Sequence, residues 1–96
     1  MSCRLQNQVA WISGAASGMG AGIASLFAQE GATVALIDVQ AAKGRAIADR
    51  IRMSGGRAVF VECDVRHEEE VCASIEQTVR EFGSLSILVN CAGIVE

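Results

Sequence analysis

The chain alternates between short apolar runs and longer stretches in which apolar residues recur every three or four positions. The runs have the length of strands, and the stretches have the period of helices. Val9-Ala10-Trp11-Ile12-Ser13 is the first run. From Gly18 the period turns helical: Met19, Ile23, Leu26 and Phe27 form an apolar stripe that ends at Glu30. Gly31 sits where a left-handed cap is expected. A second run over residues 33–37 is apolar on both faces and ends at Asp38. The helix expected over 41–53 turns Ala42, Ala46, Ile47 and Ile51 inward and Lys43, Arg45, Arg50 and Arg52 outward, and Ser54-Gly55-Gly56 stops it. A third strand over 58–63 leads to Asp64-Val65. The third helix opens on Glu68-Glu69-Glu70, acids that complement the positive end of a helix dipole. It is expected to bury Cys72, Ile75, Val79 and Phe82 and to end at Gly83. A fourth strand over 85–89 closes on Asn90-Cys91-Ala92-Gly93.

Strand and helix thus alternate as β-α-β-α-β-α-β with short connections. Strands apolar on both faces belong in a parallel sheet covered by helices on each side. Right-handed crossovers then give an α/β, doubly wound (Rossmann) sheet with strand order 3-2-1-4. The loop after strand one and the turn after strand four open onto one crevice at the carboxyl ends of the strands. Residues 1–96 are expected to form a single, partial dinucleotide-binding domain.

Composition narrows the class without changing that picture. Half of the residues are hydrophobic (51%), 20% are charged and the net charge is −3, as in a globular protein. The eight basic residues are scattered, so no nucleic-acid partner is expected. No apolar run approaches the ~20 residues that span a membrane, and residues 1–8 are too polar for a secretory signal. A cytoplasmic location is the resulting expectation. Cys3, Cys63, Cys72 and Cys91 lack zinc or C-x-x-C spacing and are read as small core residues, with no metal site. His67, the one histidine, is expected on the surface and far from the crevice.

The chemistry is concentrated in Ser13-Gly14-Ala15-Ala16-Ser17-Gly18-Met19-Gly20. Glycines let the backbone turn sharply and approach a ligand, and the following helix offers free N–H groups and its dipole to an anion. A tight strand-to-helix turn would need the same glycines. The acid Asp38, at the end of the next strand and eighteen residues past Gly20, favours a dinucleotide. Its carboxylate can accept hydrogen bonds from both hydroxyls of an adenosine ribose and repels a 2′-phosphate. Ala15, Ala16, Ser17, Val39 and Gln40 supply no cation nearby, so NAD is expected rather than NADP. Asp38 could also cap the following helix, and the two roles are compatible.

These residues resemble the short-chain dehydrogenases/reductases. The stretch from Ser13 to Gly20 is similar to that family's T-G-x-x-x-G-x-G loop, Asp64-Val65 to its adenine-contacting pair, and Leu88-Val89-Asn90-Cys91-Ala92-Gly93-Ile94 to its L-V-N-N-A-G-I turn. The resemblance covers essentially the whole chain. It implies that Gly14, Gly18 and Gly20 wrap a pyrophosphate, with Ser13, Ser17 and Met19 in the same cradle. Asp38 would then hold the adenosine ribose, Asp64 the adenine amine, and Val65 would lie beside the ring. Asn90, Ala92 and Gly93 would line the floor near the cofactor's ribose. For Asp64 a turn-forming role is the rival. Three positions depart from the family: Ser13 keeps the hydroxyl expected to brace the loop, Cys91 replaces an asparagine, and Ser86 replaces an aspartate with little expected consequence.

The resemblance also implies what the chain lacks. The family's catalytic tyrosine and lysine, in Y-x-x-x-K, follow the Asn-Ala-Gly turn. This chain has no tyrosine, and its one lysine is Lys43. The expected function is therefore the NAD-binding N-terminal part of an oxidoreductase acting on an alcohol or ketone, C-terminally truncated and inactive alone. The complete protein would be a homo-oligomer. A non-catalytic nucleotide-binding module is the alternative. A methyltransferase-like fold is disfavoured by the glycine spacing and the Asn90 turn.

Overall fold

The computed structural model describes residues 4–91. Its elements are β1 (Val9–Ser13), α1 (Gly18–Gln29), β2 (Thr33–Asp38), α2 (Ala41–Met53), β3 (Arg57–Glu62), α3 (Glu68–Phe82) and β4 (Ile87–Asn90). The strands are all parallel and pair in the order β3-β2-β1-β4, as the alternation of elements predicts. Ser13 lies level with Ile37 on one side and Asn90 on the other, so the ends of β1, β2 and β4 meet at one rim.

Period-two alternation along the strands divides the core between the two sheet faces. Ala10, Ile12, Val34, Leu36 and Ala58 pack with Ala24 of α1 and Ile47, Ala48 and Ile51 of α2. Trp11, Ala35, Ile37 and Cys63 pack on the other face with Val71 and Ile75 of α3. Ile12, Val34, Leu36 and Ile37 are fully buried, each contributing about 1.5–3 kcal/mol by leaving water. β1 and β2 are therefore the rigid centre from which the rim loops depart.

The inward helix faces differ from the expected stripes. On α1, Gly20 and Ala24 are buried, whereas Met19 is 60% and Leu26 54% exposed; Ile23 and Phe27 do pack against the core. On α2, Gly44 and Ala48 join Ile47 and Ile51 inside, and Ala42 and Ala46 face out. On α3, Ser74 and Thr78 are buried, Cys72 and Val79 are exposed, and Ile75 and Phe82 are half-buried. The common cause is close approach. Small residues let a helix axis come nearer the sheet, and a Cβ on Gly44 would run into the Phe60 ring. The hydroxyls buried on α3 are satisfied locally: Ser74 donates to the Val71 carbonyl (2.8 Å) and Thr78 to that of Ser74 (2.8 Å). Ser74 also accepts the Trp11 indole N–H at 2.9 Å, which turns this face of α3 toward β1.

Strand boundaries shift slightly. β3 starts one residue early, at Arg57, and ends at Glu62, although the Cys63 N–H still reaches the Asp38 carbonyl (3.1 Å). β4 begins at Ile87 rather than residue 85. Just before it, the Ser86 hydroxyl accepts the Val9 N–H (3.0 Å) while the Ser86 N–H donates to the Val9 carbonyl (2.9 Å). Ser86 is thus no inconsequential surface position: its side chain extends the pairing of β4 with β1.

Candidate functional site

The loop after β1 is built by its own backbone. Gly14 has φ of 67°, the left-handed region that a glycine enters without a Cβ penalty. Its carbonyl accepts the Ser17 N–H (3.0 Å) and the Ser17 hydroxyl (2.6 Å). Ser17 is the N-cap of α1, and its Oγ accepts the Gly20 N–H at 3.1 Å. A Cβ on Gly20 would collide with the Gly14 carbonyl, so this glycine is required by packing within the loop. Gly18 has nothing within 4 Å of where its Cβ would lie. The loop therefore closes on itself through Gly14, Ser17 and Gly20 and leaves open space at Gly18.

Of the leading N–H groups of α1, the Ser17 side chain takes that of Gly20 and the Ser17 carbonyl takes that of Ala21 (2.8 Å). Those of Gly18 and Met19 have no such partner among the described residues. The exposed stretch Ser17, Gly18 and Met19 is thus the part of the loop able to offer N–H groups and the helix dipole to an anion.

Bracing of the loop falls to Ser17 and not to Ser13. The Ser13 hydroxyl turns to β4, donating to Asn90 Oδ1 at 2.7 Å with the Val89 carbonyl 3.4 Å away. It fixes the Asn90 side chain at the strand end. The Cys91 N–H donates to the Ser13 carbonyl (3.2 Å), so β1 and β4 remain paired one residue past Asn90. Ala92 and Gly93 lie outside the described residues.

Asp38 is 8% exposed at the end of β2. Its Oδ2 accepts the Ala16 N–H from the loop, and its Oδ1 accepts the N–H of Gln40 entering α2, both at 2.9 Å. Gln40, not Asp38, is the N-cap residue of α2, and it makes no side-chain cap. An ionised carboxylate has about four lone-pair directions, and these two bonds use two of them.

The third rim turn is differently occupied. Arg66 donates to Asp64 through Nη2 (2.7 Å to Oδ2) and Nε (3.0 Å to Oδ1), and its main-chain N–H reaches Oδ1 at 3.0 Å. The guanidinium holds the Asp64 carboxyl well below the usual carboxylate range. The Asp64 N–H in turn donates to Glu70 Oε1 (2.8 Å). This is the turn-forming role, in which the carboxylate ties residues 64 and 66 together. Val65 packs against the α3-side core. His67 is exposed as expected, but its Nε2 is 3.5 Å from Asp64 Oδ2. It therefore belongs to the turn after β3.

The thiols divide by environment. Cys63 is buried, and loss of hydration pushes its thiol pKa up. Cys91 is partly buried, and Cys72 is exposed, which corrects its assignment to the core. Among the described residues no group of three His, Cys, Asp or Glu is placed to hold a metal ion. No described helix is long and apolar enough to cross a membrane. A cleft of about 320 Å³ between α1 and α2 shares no residue with the glycine loop, Asp38 or Asn90.

The parallel β3-β2-β1-β4 sheet with alternating helices defines a Rossmann-like protein, and comparison with known proteins gives its family. Residues 8–96 match the model of the short chain dehydrogenase family. The chain is 44% identical over 93 residues to tropinone reductase-like 2 of Erythroxylum coca, covering 97% of this chain and 33% of that protein. The crystal structure of a dehydrogenase/reductase from Sinorhizobium meliloti superposes with a TM-score of 0.91 at 44% identity, covering 97% of this chain and 37% of that one. That of a hydroxysteroid dehydrogenase from Escherichia coli superposes with a TM-score of 0.88 at 36% identity, covering 92% and 37%. The chain belongs to the short-chain dehydrogenase family, whose members are oxidoreductases that use nicotinamide cofactors. It spans about a third of the length of the relatives it matches.

Proposed function

We propose that this chain holds NAD across the carboxyl ends of β1, β2 and β4, as the cofactor-binding part of an oxidoreductase that interconverts an alcohol and a ketone. The observation that carries the reading is Asp38: a buried carboxylate fixed beside the glycine loop by the Ala16 and Gln40 N–H groups. A ribose carrying two free hydroxyls suits it, and a 2′-phosphate does not. No Lys or Arg stands among residues 13–20 or 38–42 to offset that charge.

The glycine loop and Asn90 suit other parts of such a ligand. The open space at Gly18 and the leading N–H groups of α1 suit a pyrophosphate near Gly14, Gly18 and Gly20, with Ser17 and Met19 at its side. Asn90, positioned by Ser13, would face the cofactor's other ribose; Ala92 and Gly93, expected beside it, lie outside the described residues. Val65 would lie beside the adenine. For Asp64 to bond the adenine amine, the exposed Arg66 guanidinium would have to swing away from its carboxylate. Bound there, a nicotinamide dinucleotide supplies the hydride acceptor or donor. The chain itself binds and orients it. With no tyrosine in the sequence, and with Lys43 exposed on α2, the described residues hold no tyrosine–lysine pair to move the substrate's proton, and we expect the chain to be inactive alone.

Calorimetric titration with NAD and NADP tests the assignment. NAD should bind more tightly, and Asp38→Ala should narrow the difference. Equal affinity for the two in the unmutated chain would refute the role given to Asp38. Substrate-dependent NADH formation by the chain, above a blank, would refute its inactivity.

A further inference from the structure

Asp38 does more in this structure than wait for a ribose. Main-chain pairing between β1 and β2 continues past Ser13, with the Ala15 N–H donating to the Ile37 carbonyl at 3.2 Å. At the next position the main chain of the loop has turned away from β2, and the Asp38 side chain takes over, accepting the Ala16 N–H at 2.9 Å. The same carboxylate accepts the Gln40 N–H, while the Asp38 carbonyl accepts the Cys63 N–H. One residue thus joins the glycine loop, the turn into α2 and the end of β3. Ala16 is itself buried, so losing the carboxylate deprives a buried N–H of the acceptor it has in the fold.

We propose that Asp38 is a positioning residue for the glycine loop, holding it in its anion-accepting shape before any nucleotide arrives. The proposal rests on the nucleotide reading for its purpose, but its first test does not. Ribose recognition and phosphate recognition are then coupled through one side chain. Replacing Asp38 to admit a 2′-phosphate would also loosen the loop that receives the pyrophosphate. Electrostatics alone predicts the reverse for the second effect, because removing a negative charge beside an anion site should tighten anion binding.

Two measurements separate these outcomes. The first is amide hydrogen exchange of Ala16 in the ligand-free, 15N-labelled chain, read against the Leu36 amide of β2 so that any global loss of stability cancels. A hydrogen bond to a charged group shifts an opening equilibrium by roughly ten- to a hundredfold. Asp38→Ala should therefore speed Ala16 exchange at least about tenfold relative to Leu36. Asp38→Asn removes the charge but keeps one acceptor oxygen for the two N–H groups, and should lose less protection. Unchanged Ala16 exchange in Asp38→Ala, or equal loss in the two variants, would overturn the proposal.

The second measurement is affinity for inorganic pyrophosphate, which has no ribose. A loop held less often in its competent shape binds in proportion to the fraction that remains competent, so Asp38→Ala should bind pyrophosphate more weakly. Equal or tighter binding would overturn the positioning role. If the unmutated chain binds neither NAD nor pyrophosphate, the nucleotide reading fails, and Ala16 exchange still decides whether Asp38 holds the loop.

Discussion

Two glycines of one loop should respond oppositely to the same substitution. A Cβ on Gly20 would strike the Gly14 carbonyl group, with the Ala15 Cα also only 2.9 Å away; all of these are backbone atoms that no rotamer change can clear. Moving the Gly14 carbonyl also disturbs the bonds it accepts from the Ser17 N–H and hydroxyl. Overpacking of this kind costs about 1–3 kcal/mol, and each strained bond about 0.5–1.5 kcal/mol. Alanine's higher helix propensity returns at most ~1 kcal/mol. Gly20→Ala should therefore destabilise the chain by about 1–3 kcal/mol, a fall in Tm of roughly 5–20 °C for a domain of this size. Gly18 has neither a positive φ nor a neighbour within 4 Å. Gly18→Ala should leave stability unchanged or raise it by up to about 0.5 kcal/mol, since a first-turn position gains less than the helix interior. Urea titration followed by the fluorescence of Trp11 reads both variants, with equal slopes required before midpoints are compared. On the proposed function, Gly18→Ala also fills space that a pyrophosphate needs, so it should keep its midpoint and lose NAD affinity. A Gly20→Ala chain as stable as the unmutated one would refute the tight loop closure.

Ser74→Ala orphans the buried Trp11 indole N–H and should cost about 1–3 kcal/mol, read as a lower urea midpoint; no change would mean that the bond at 2.9 Å contributes nothing. Alkylation by iodoacetamide should modify Cys72 well before Cys63, whose burial both shields it and raises its pKa, and the reverse order in a peptide map would contradict the described burial. Because Arg66 lowers the folded-state pKa of Asp64, that stabilisation is complete above the unfolded value near 4 and is lost as pH falls below it. The midpoint difference between the unmutated chain and Arg66→Ala should thus be small at pH 7, since the Arg66 guanidinium is exposed to solvent screening, and smaller still at pH 3. A difference that does not change with pH would refute the pairing.

Much of this molecule was determined by local sequence. The apolar run from Val9 to Ser13, the glycine spacing and the acid at Asp38 each act over a few residues, so strand, loop and rim acid were legible without a partner in view. Strand order followed as well, because short right-handed crossovers leave few alternatives. Tertiary structure decided whatever depends on closeness between distant residues. Hydrophobic spacing placed Met19, Leu26, Cys72 and Val79 inside, but the helices approach the sheet through Gly20, Ala24, Gly44, Ser74 and Thr78. A periodicity of apolar residues reports which side chains avoid water, not which small ones let two backbones come close. Hydrogen-bond partners far apart in sequence were equally hidden: Ser13 with Asn90, Ser86 with Val9, and Asp38 with Ala16. For Asp38 the sequence determined that a carboxylate stands at the strand end, and only the fold decided that the carboxylate also holds the loop beside it.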